Sequence, residues 1–119
     1  MPARTVGRIT SRAAFAELQR SRARGSCGPV KALFVPAEEG VAGVFPQVGY
    51  AISRRCGNAV VRNTLRRRAR AVVRAEAHRL ARGSYLVRLE PSAAELVASE
   101  FRADVAAALE RAGRAAVKA

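Results

Sequence analysis

The chain has 119 residues, half of them hydrophobic, and a formal net charge of +13 from 22 lysines and arginines against nine acids. This length supports one domain, residues 1–119, but not a core together with an enclosed active site. The charge predicts a polyanionic partner. No apolar run approaches the roughly 18 residues of a membrane-spanning helix, and the first residues lack the apolar centre of a signal peptide. We therefore expect a cytoplasmic protein with no membrane partner.

The N-terminal half predicts one helix followed by strands. Thr10 or Ser11 can cap a short helix that runs to about Arg20. The next segment, 20–29, is basic and rich in glycine and serine, which indicates a loop. Beyond it, apolar and alternating runs predict three strands with a hairpin connection between the first two. The strands are expected at 30–35, 41–45 and 47–53, and the connection at 37–40.

A long helical pattern begins near Asn58, and Gly83 is expected to end it. Projected at about 100° per residue, this helix has an apolar stripe on one side and a basic face on the other. The basic face consists of Asn63, Arg66, Arg67, Arg70 and Arg74. Neighbouring like charges on a helix cost a few tenths of a kcal/mol each, and no acid on this face offsets them. Since guanidinium groups bind phosphate oxygens bidentately, the face predicts phosphate binding, with Asn63 available to a base edge or a 2′-hydroxyl.

The C-terminal third predicts one more strand and one more helix. The strand is expected at 84–90, closed by Pro91. The final helix starts either at Ser92, in a capping box with Glu95, or at Ser99. The predicted order is α-β-β-β-α-β-α, without an internal repeat or a second domain.

No residue of this chain is predicted to be catalytic. His78 is the only histidine, and Cys27 and Cys56 form neither a CxxC pair nor a metal-ligand set with it. A protein that cuts RNA by itself would usually offer a histidine or lysine as general acid and base. The sequence therefore does not favour chemistry by this chain itself.

The stretch from Val48 to Arg70 resembles the signature of the protein subunit of bacterial ribonuclease P. The family pattern is a strand, two basic residues, G-x-A-V, then R-N with further basic residues shortly after. In this chain it reads Arg54-Arg55, Gly57-Asn58-Ala59-Val60, Arg62-Asn63, Arg66-Arg67 and Arg70. Length, charge and element order agree as well, so the resemblance covers nearly the whole chain.

The resemblance implies an α+β fold, a two-layer α/β sandwich with a four-stranded sheet and a left-handed β-α-β crossover. The usual crossover is right-handed, so this handedness comes from the family alone. The resemblance also implies a function in tRNA processing. The family's protein binds one large catalytic RNA, and together they remove the 5′ leader of precursor tRNA, with the RNA performing the hydrolysis with Mg²⁺. We thus expect a subunit of an endoribonuclease, a monomer in a 1:1 complex with its RNA.

The family's functional residues carry over to matching positions of this chain. The surface for the catalytic RNA is expected to include Arg54, Arg55, Asn58, Arg62, Asn63, Arg66, Arg67 and Arg70. The leader cleft is expected to include Phe15, Phe34 and Tyr50, although Phe15 and Phe34 can equally be core and a residue at the position of Tyr50 is more often core. Three positions depart from the family pattern: Gln19 and Thr64 replace a common aromatic and a common arginine, and Glu90 stands near a usually basic strand end.

Two other classes of protein share this charge and size. A structural ribosomal protein would bind ribosomal RNA in preference to the catalytic RNA. A DNA-binding architectural protein would need a minor-groove wedge or a dimer arm, and the sequence shows neither.

Overall fold

The computed structural model describes residues 6–9, 11–37 and 46–118, which form one five-stranded sheet with three helices. The strands are β1 (Gly7–Arg8), β2 (Ala23–Cys27), β3 (Val30–Pro36), β4 (Gln47–Ile52) and β5 (Gly83–Leu89). The helices are α1 (Arg12–Gln19), α2 (Ala59–Glu76) and α3 (Ala98–Lys118), and single 3₁₀ turns occupy Arg54–Cys56, Ala77–Arg79 and Pro91–Glu95. The order across the sheet is β1-β4-β5-β3-β2. None of the described helices is long and apolar enough to cross a bilayer.

The α/β sandwich predicted from the sequence is confirmed, and α1 lies on the second face of the sheet. Alternation along β3 shows the division, because successive side chains of a strand point to opposite faces. Phe34 packs in the larger core, together with residues of α2 and α3, whereas Leu33 packs with Leu18 of α1 and Leu86 of β5. The face that carries α1 is therefore only partly covered, since α1 is a helix of eight residues.

The β4–α2–β5 unit carries the site and has the predicted crossover topology. β4 and β5 are parallel neighbours, from the pair Gln47 and Ser84 to the pair Ile52 and Leu89. A parallel pair needs a crossover connection, here α2. Its left-handedness remains a prediction from the family resemblance.

The predicted loop at 20–29 is wrong, because residues 23–27 form strand β2. Its inward residues are small, and a Cβ on Gly25 would lie 2.5 Å from the Ala108 carbonyl oxygen of α3. β2 pairs with β3 through a turn at Gly28, where φ is +56°. Gly25, one of the residues that indicated a loop, instead permits close packing of strand and helix. With β2 and the short β1, the described sheet has five strands rather than four.

The other predicted strands are confirmed, at 30–36, 47–52 and 83–89, while the strand at 41–45 and most of the connection at 37–40 lie outside the described residues. One predicted helix end is wrong, and the open choice for the start of the last helix is decided in favour of the later position. Helix α2 ends at Glu76, and Gly83 instead begins β5 at a φ of +143°, where a Cβ would lie 2.3 Å from the Val35 carbonyl oxygen. Ser92 falls in a 3₁₀ turn, so the capping box does not start α3, which begins at Ala98, one residue before Ser99.

Candidate nucleic-acid interface

The basic signature begins at a tight connection between β4 and α2. The 3₁₀ turn Arg54–Cys56 exposes both arginines and buries Cys56. Burial, with Glu90 nearby, raises the pKa of the Cys56 thiol, and its Sγ lies 3.6 Å from the Leu89 carbonyl oxygen. The raised pKa keeps Cys56 a neutral thiol that anchors the turn. Because the nucleophilic form of cysteine is the thiolate, we expect this side chain to be unreactive.

Asn58 starts helix α2 as its N-cap. Its side-chain oxygen accepts a hydrogen bond from the Val61 N–H at 3.0 Å, as capping asparagines do. Gly57 precedes it with a φ of +147°, in the region that favours glycine. The predicted contact between Asn58 and RNA remains a prediction, and the structure adds a structural role for the same side chain.

The predicted basic face of α2 is present and lies opposite the buried side. Leu65, Ala69, Val72 and Val73 are buried in the core. On the opposite side the exposed residues are Asn63, Arg67, Arg70 and Arg74, and Arg66 is half-buried. The Arg66 guanidinium donates to the Asn63 side-chain oxygen at 3.1 Å. The described residues form two ion pairs, Arg79–Glu76 and Arg114–Glu110, and neither involves the basic face. Its charge is therefore available to an external anion.

Arg62 differs from the arginines around it. It is half-buried, and its Nε is buried without a hydrogen-bond acceptor among the described residues. A buried donor left unpaired costs about 1–3 kcal/mol. Because the Nε atom is shielded from solvent, a partner can reach Arg62 only through the terminal nitrogens of its guanidinium group.

Thr64, which replaces a common arginine of the family pattern, turns back onto its own helix. Its hydroxyl donates to the Val60 carbonyl oxygen at 3.0 Å. This local bond satisfies the hydroxyl within α2, and the position adds no positive charge to the basic face.

The three predicted cleft aromatics do not share one cleft. Phe34 is only 2% exposed and stacks on Tyr85 at a centroid distance of 4.4 Å, so it is core, and its predicted place in the leader cleft is corrected. The reason is strand alternation, which points Leu33 rather than Phe34 toward α1. Phe15 lies on the α1 face and is half-buried. Tyr50 lies on the α2 face, where the Arg70 guanidinium carbon is 5.9 Å from its ring centroid.

Phe15 and Tyr50 nevertheless both lie beside one edge of the sheet. They line a cavity of about 500 Å³, which we call the edge pocket. Its walls are the segment Val6–Ile9, the β4 residues Val48–Tyr50, Phe15 of α1, and Arg66, Arg70, Val73 and Arg74 of α2. Two predicted RNA-binding arginines and two predicted cleft aromatics thus share one cavity.

Sequence analysis missed a second basic surface, on the sheet face that carries α1. Lys31 and Arg88 are directly opposite each other on β3 and β5, although like charges at such positions are destabilising. Together with Arg24 and Leu33 they line a cavity of about 280 Å³. Part of the signal was in the sequence: Lys31 stands two residues before Leu33 in the predicted strand 30–35, which places both on one face.

The described residues contain no group of three or more histidine, cysteine or acidic side chains that could hold a metal ion. His78 is exposed in the 3₁₀ turn after α2. The described residues of the candidate site are guanidinium groups flanked by aromatic side chains.

Comparisons with known proteins point to one family. The family model for ribonuclease P matches residues 4–113. The ribonuclease P protein component of Beutenbergia cavernae is 36% identical over 98 residues, 82% of each chain. That of Symbiobacterium thermophilum is 37% identical over 107 residues, 89% of this chain and 90% of the relative.

Solved structures show the same fold at low sequence identity. A Staphylococcus aureus ribonuclease P protein mutant with defective mRNA degradation activity superposes with a TM-score of 0.76 at 17% identity, over 87% of this chain and 85% of the other. The ribonuclease P protein of Thermotoga maritima gives a TM-score of 0.73 at 19% identity, over 87% and 96%. With a family match over most of its length and close agreement in fold, the chain belongs to the ribonuclease P protein family, the protein component of that endoribonuclease.

Proposed function

We propose that this protein binds the catalytic RNA of ribonuclease P and the 5′ leader of precursor tRNA, and so supports Mg²⁺-dependent removal of the leader in tRNA maturation. The observation that carries the proposal is the basic face of α2, whose arginines have no carboxylate partner among the described residues. The same helix starts at the family signature, and Arg62 within it keeps a buried, unpaired Nε.

The catalytic RNA is bound by α2 and the turn before it. Arg54 and Arg55 extend the basic face beyond the helix, because the 3₁₀ turn exposes both. Folded RNA presents phosphates on a continuous surface, and guanidinium groups bind two phosphate oxygens at once. We infer a 1:1 complex, because the chain offers one such helix face among its described residues.

The leader of precursor tRNA is a single strand and needs a different surface. The sheet face that carries α1 offers Lys31, Arg88 and Arg24 around Leu33, and Phe15 packs against the core cluster on the same face. Positive charge that follows a backbone, together with aromatic side chains, is the usual arrangement for single-stranded RNA. This surface is separate from the basic face of α2, so one protein can contact both RNAs.

The chemistry belongs to the RNA partner, which we expect to hold the Mg²⁺ that activates water for hydrolysis. The described residues supply no set of metal ligands. The protein acts by charge: catalytic RNA and substrate are both polyanions, and their approach is opposed by Coulomb repulsion. A chain of net charge +13 placed at their junction reduces that repulsion, so that less free Mg²⁺ is needed. These roles place the protein in the cytoplasm, where tRNA is matured.

Reconstitution tests the proposal. The purified chain is added to a bacterial ribonuclease P RNA at low Mg²⁺, and release of the 5′ leader from precursor tRNA is followed. We expect cleavage only when the chain is present, and a strong loss with Arg62→Ala combined with Asn63→Ala. The double variant should keep its fold, because Asn63 is exposed and Arg62 is not part of the core. If the wild-type chain neither binds the RNA nor promotes cleavage, the proposal is wrong.

A further inference from the structure

Helix α1 is held to the sheet by few of its own side chains. It has eight residues, of which only Leu18 is fully buried. A helix this short is marginal in water and takes its stability from tertiary contacts. Its last turn contains no basic residue that could interact with the negative end of the helix. The orientation of α1 therefore depends on contacts from residues outside the helix.

Arg24 of β2 supplies such contacts. Its guanidinium group donates two hydrogen bonds of 2.8 Å, from Nε to the Ser21 carbonyl oxygen and from Nη2 to the Gln19 carbonyl oxygen. Gln19 is the last residue of α1, so Arg24 caps the helix and brings positive charge to its negative end. Arg24 reaches this position because it is directly opposite Leu33, which packs on the face that carries α1.

Ser21 connects the same end of α1 to β3. Its hydroxyl donates to the Phe34 carbonyl oxygen and accepts a hydrogen bond of 3.1 Å from the Ala23 N–H. The Ser21 N–H donates to the Leu18 carbonyl oxygen, also at 3.1 Å. Ser21 and Arg24, which we call the clasp, thus join the end of α1 to the two strands β2 and β3.

Arg24 is unusual among the cations of the second basic surface. It lines the same cavity as Lys31 and Arg88, but two of its five N–H donors are engaged by carbonyl oxygens of the chain itself. Lysine cannot reproduce this fixed fork, because its ammonium group is a single point of charge. The geometry is thus that of a side chain that orients the backbone, with fewer donors left for a phosphate.

We propose that Arg24 is a positioning residue for the leader: with Ser21 it fixes α1 over the sheet and so sets the space between α1 and the second basic surface. This inference rests on the function proposed above and assigns a role within it. The other fixed point of α1 is Phe15, whose Cζ atom would lie 2.9 Å from a Cβ on Gly49. A change at the clasp would therefore tilt α1 about Phe15 and alter the space open to a single strand.

Two substitutions of Arg24 separate position from charge. Affinities for precursor and mature tRNA are measured in the complex of the chain with a bacterial ribonuclease P RNA. Arg24→Lys keeps the charge without the fork, and Arg24→Ala removes both. Both should lower the preference for precursor over mature tRNA by the same factor, roughly tenfold, the low end for hydrogen bonds of a charged group. The salt dependence of precursor binding should remain that of the parent in both variants.

Three further variants complete the test. Arg22→Lys is the matched control, because Arg22 is exposed in the same connection but does not belong to the clasp, and it should behave as the parent does. Ser21→Ala changes no charge and should still lower the preference for precursor tRNA. In the double variant, Arg24→Lys should add little to the loss caused by Phe15→Ala, because both act through α1.

A direct phosphate contact by Arg24 would give a different pattern. Arg24→Lys would then keep nearly the parental preference, while Arg24→Ala would lose it and show a shallower salt dependence. This pattern would overturn the inference, as would full additivity of Arg24→Lys and Phe15→Ala.

Amide hydrogen exchange of the free protein tests the clasp without RNA. Arg24→Lys and Ser21→Ala should speed exchange in α1 and leave α2 and α3 as in the parent, whereas Arg22→Lys should change none of them. If the parent complex does not distinguish precursor from mature tRNA, the function proposed above fails. Faster exchange in α1 then still establishes the clasp, and unchanged exchange contradicts it.

Discussion

The Asn58 side-chain oxygen accepts a hydrogen bond from the Val61 N–H at 3.0 Å. A residue of the basic signature is thus also the N-cap of helix α2. Substitutions at this position can separate the capping role from the RNA contact. Asn58→Ala should lower the free energy of unfolding by about 1 kcal/mol, the usual value of a lost N-cap. Thermal or denaturant unfolding measures it.

Asn58→Asp supplies the matched comparison. Aspartate caps as well as asparagine and also favours the positive end of the helix, so stability should be preserved. Its negative charge stands among Arg54, Arg55 and Arg62, however, and should weaken binding to the catalytic RNA by about tenfold or more. Equal RNA affinity for the aspartate variant and the parent would show that Asn58 only caps the helix.

Arg62 should not tolerate lysine, because it is half-buried with its Nε shielded from solvent and can reach a partner only through its terminal guanidinium nitrogens. Lysine lacks these nitrogens and cannot form a bidentate contact. We expect Arg62→Lys to weaken binding to the catalytic RNA roughly tenfold. Arg67→Lys is the control, since Arg67 is exposed on the same helix and its contact should survive as a point charge, within about threefold of the parent. Similar losses for both variants would mean that the geometry of Arg62 has no special role.

Strands with regular alternation and the start of α2 could be predicted from the sequence, because each depends on local chemistry. β4 and β5 show apolar alternation, and Asn58 carries its capping group within the segment that it caps. β2 was missed for the opposite reason. Its buried side chains are small because α3 approaches to within 2.5 Å of a Cβ position at Gly25, and the partner that imposes this lies more than 80 residues away in the sequence, at Ala108.

The candidate site, like the fold, could be predicted from the sequence only where it depends on local chemistry. The charged face of α2 follows from helical periodicity, and the structure contains it. The assignment of aromatic residues to the cleft depended on which face of the sheet each strand position occupies, and a shift of one residue reverses the face. Phe34 was therefore assigned to the wrong side, while Lys31 and Arg88 were overlooked because their pairing across β3 and β5 appears only in the folded sheet.

Substitution of Phe34 should mainly lower stability, whereas substitution of Phe15 should mainly reduce the discrimination between precursor and mature tRNA. Phe34→Ala removes a ring that is 2% exposed and should cost about 3–5 kcal/mol of unfolding free energy. Phe34→Leu, which keeps most of the volume, should stay folded and discriminate precursor from mature tRNA as the parent does. Phe15→Ala should instead reduce that discrimination with a smaller loss of stability. An effect of Phe15→Ala on melting temperature alone would assign it to the core.

The wild-type Arg88 side chain should lower the stability of the fold, because it is directly opposite Lys31. The same pair of positive charges should strengthen binding of the leader. Arg88→Ala relieves a like-charge contact, so the free energy of unfolding should stay the same or rise by a few tenths of a kcal/mol. The affinity for precursor tRNA should fall toward that for mature tRNA, and its salt dependence should become shallower by about one phosphate contact.

Arg82→Ala is the control for Arg88→Ala, because Arg82 is exposed just before β5 and lies outside the cavity that Lys31 and Arg88 line. It removes the same charge from the protein as a whole. Kinetics of leader removal at several salt concentrations, with denaturant unfolding of the same preparations, give both quantities. If Arg88 serves only solubility, Arg88→Ala and Arg82→Ala should have equal effects on stability and on leader binding. A gain in stability together with a loss of discrimination, at Arg88 alone, indicates that the repulsion is maintained because the leader phosphates bind there.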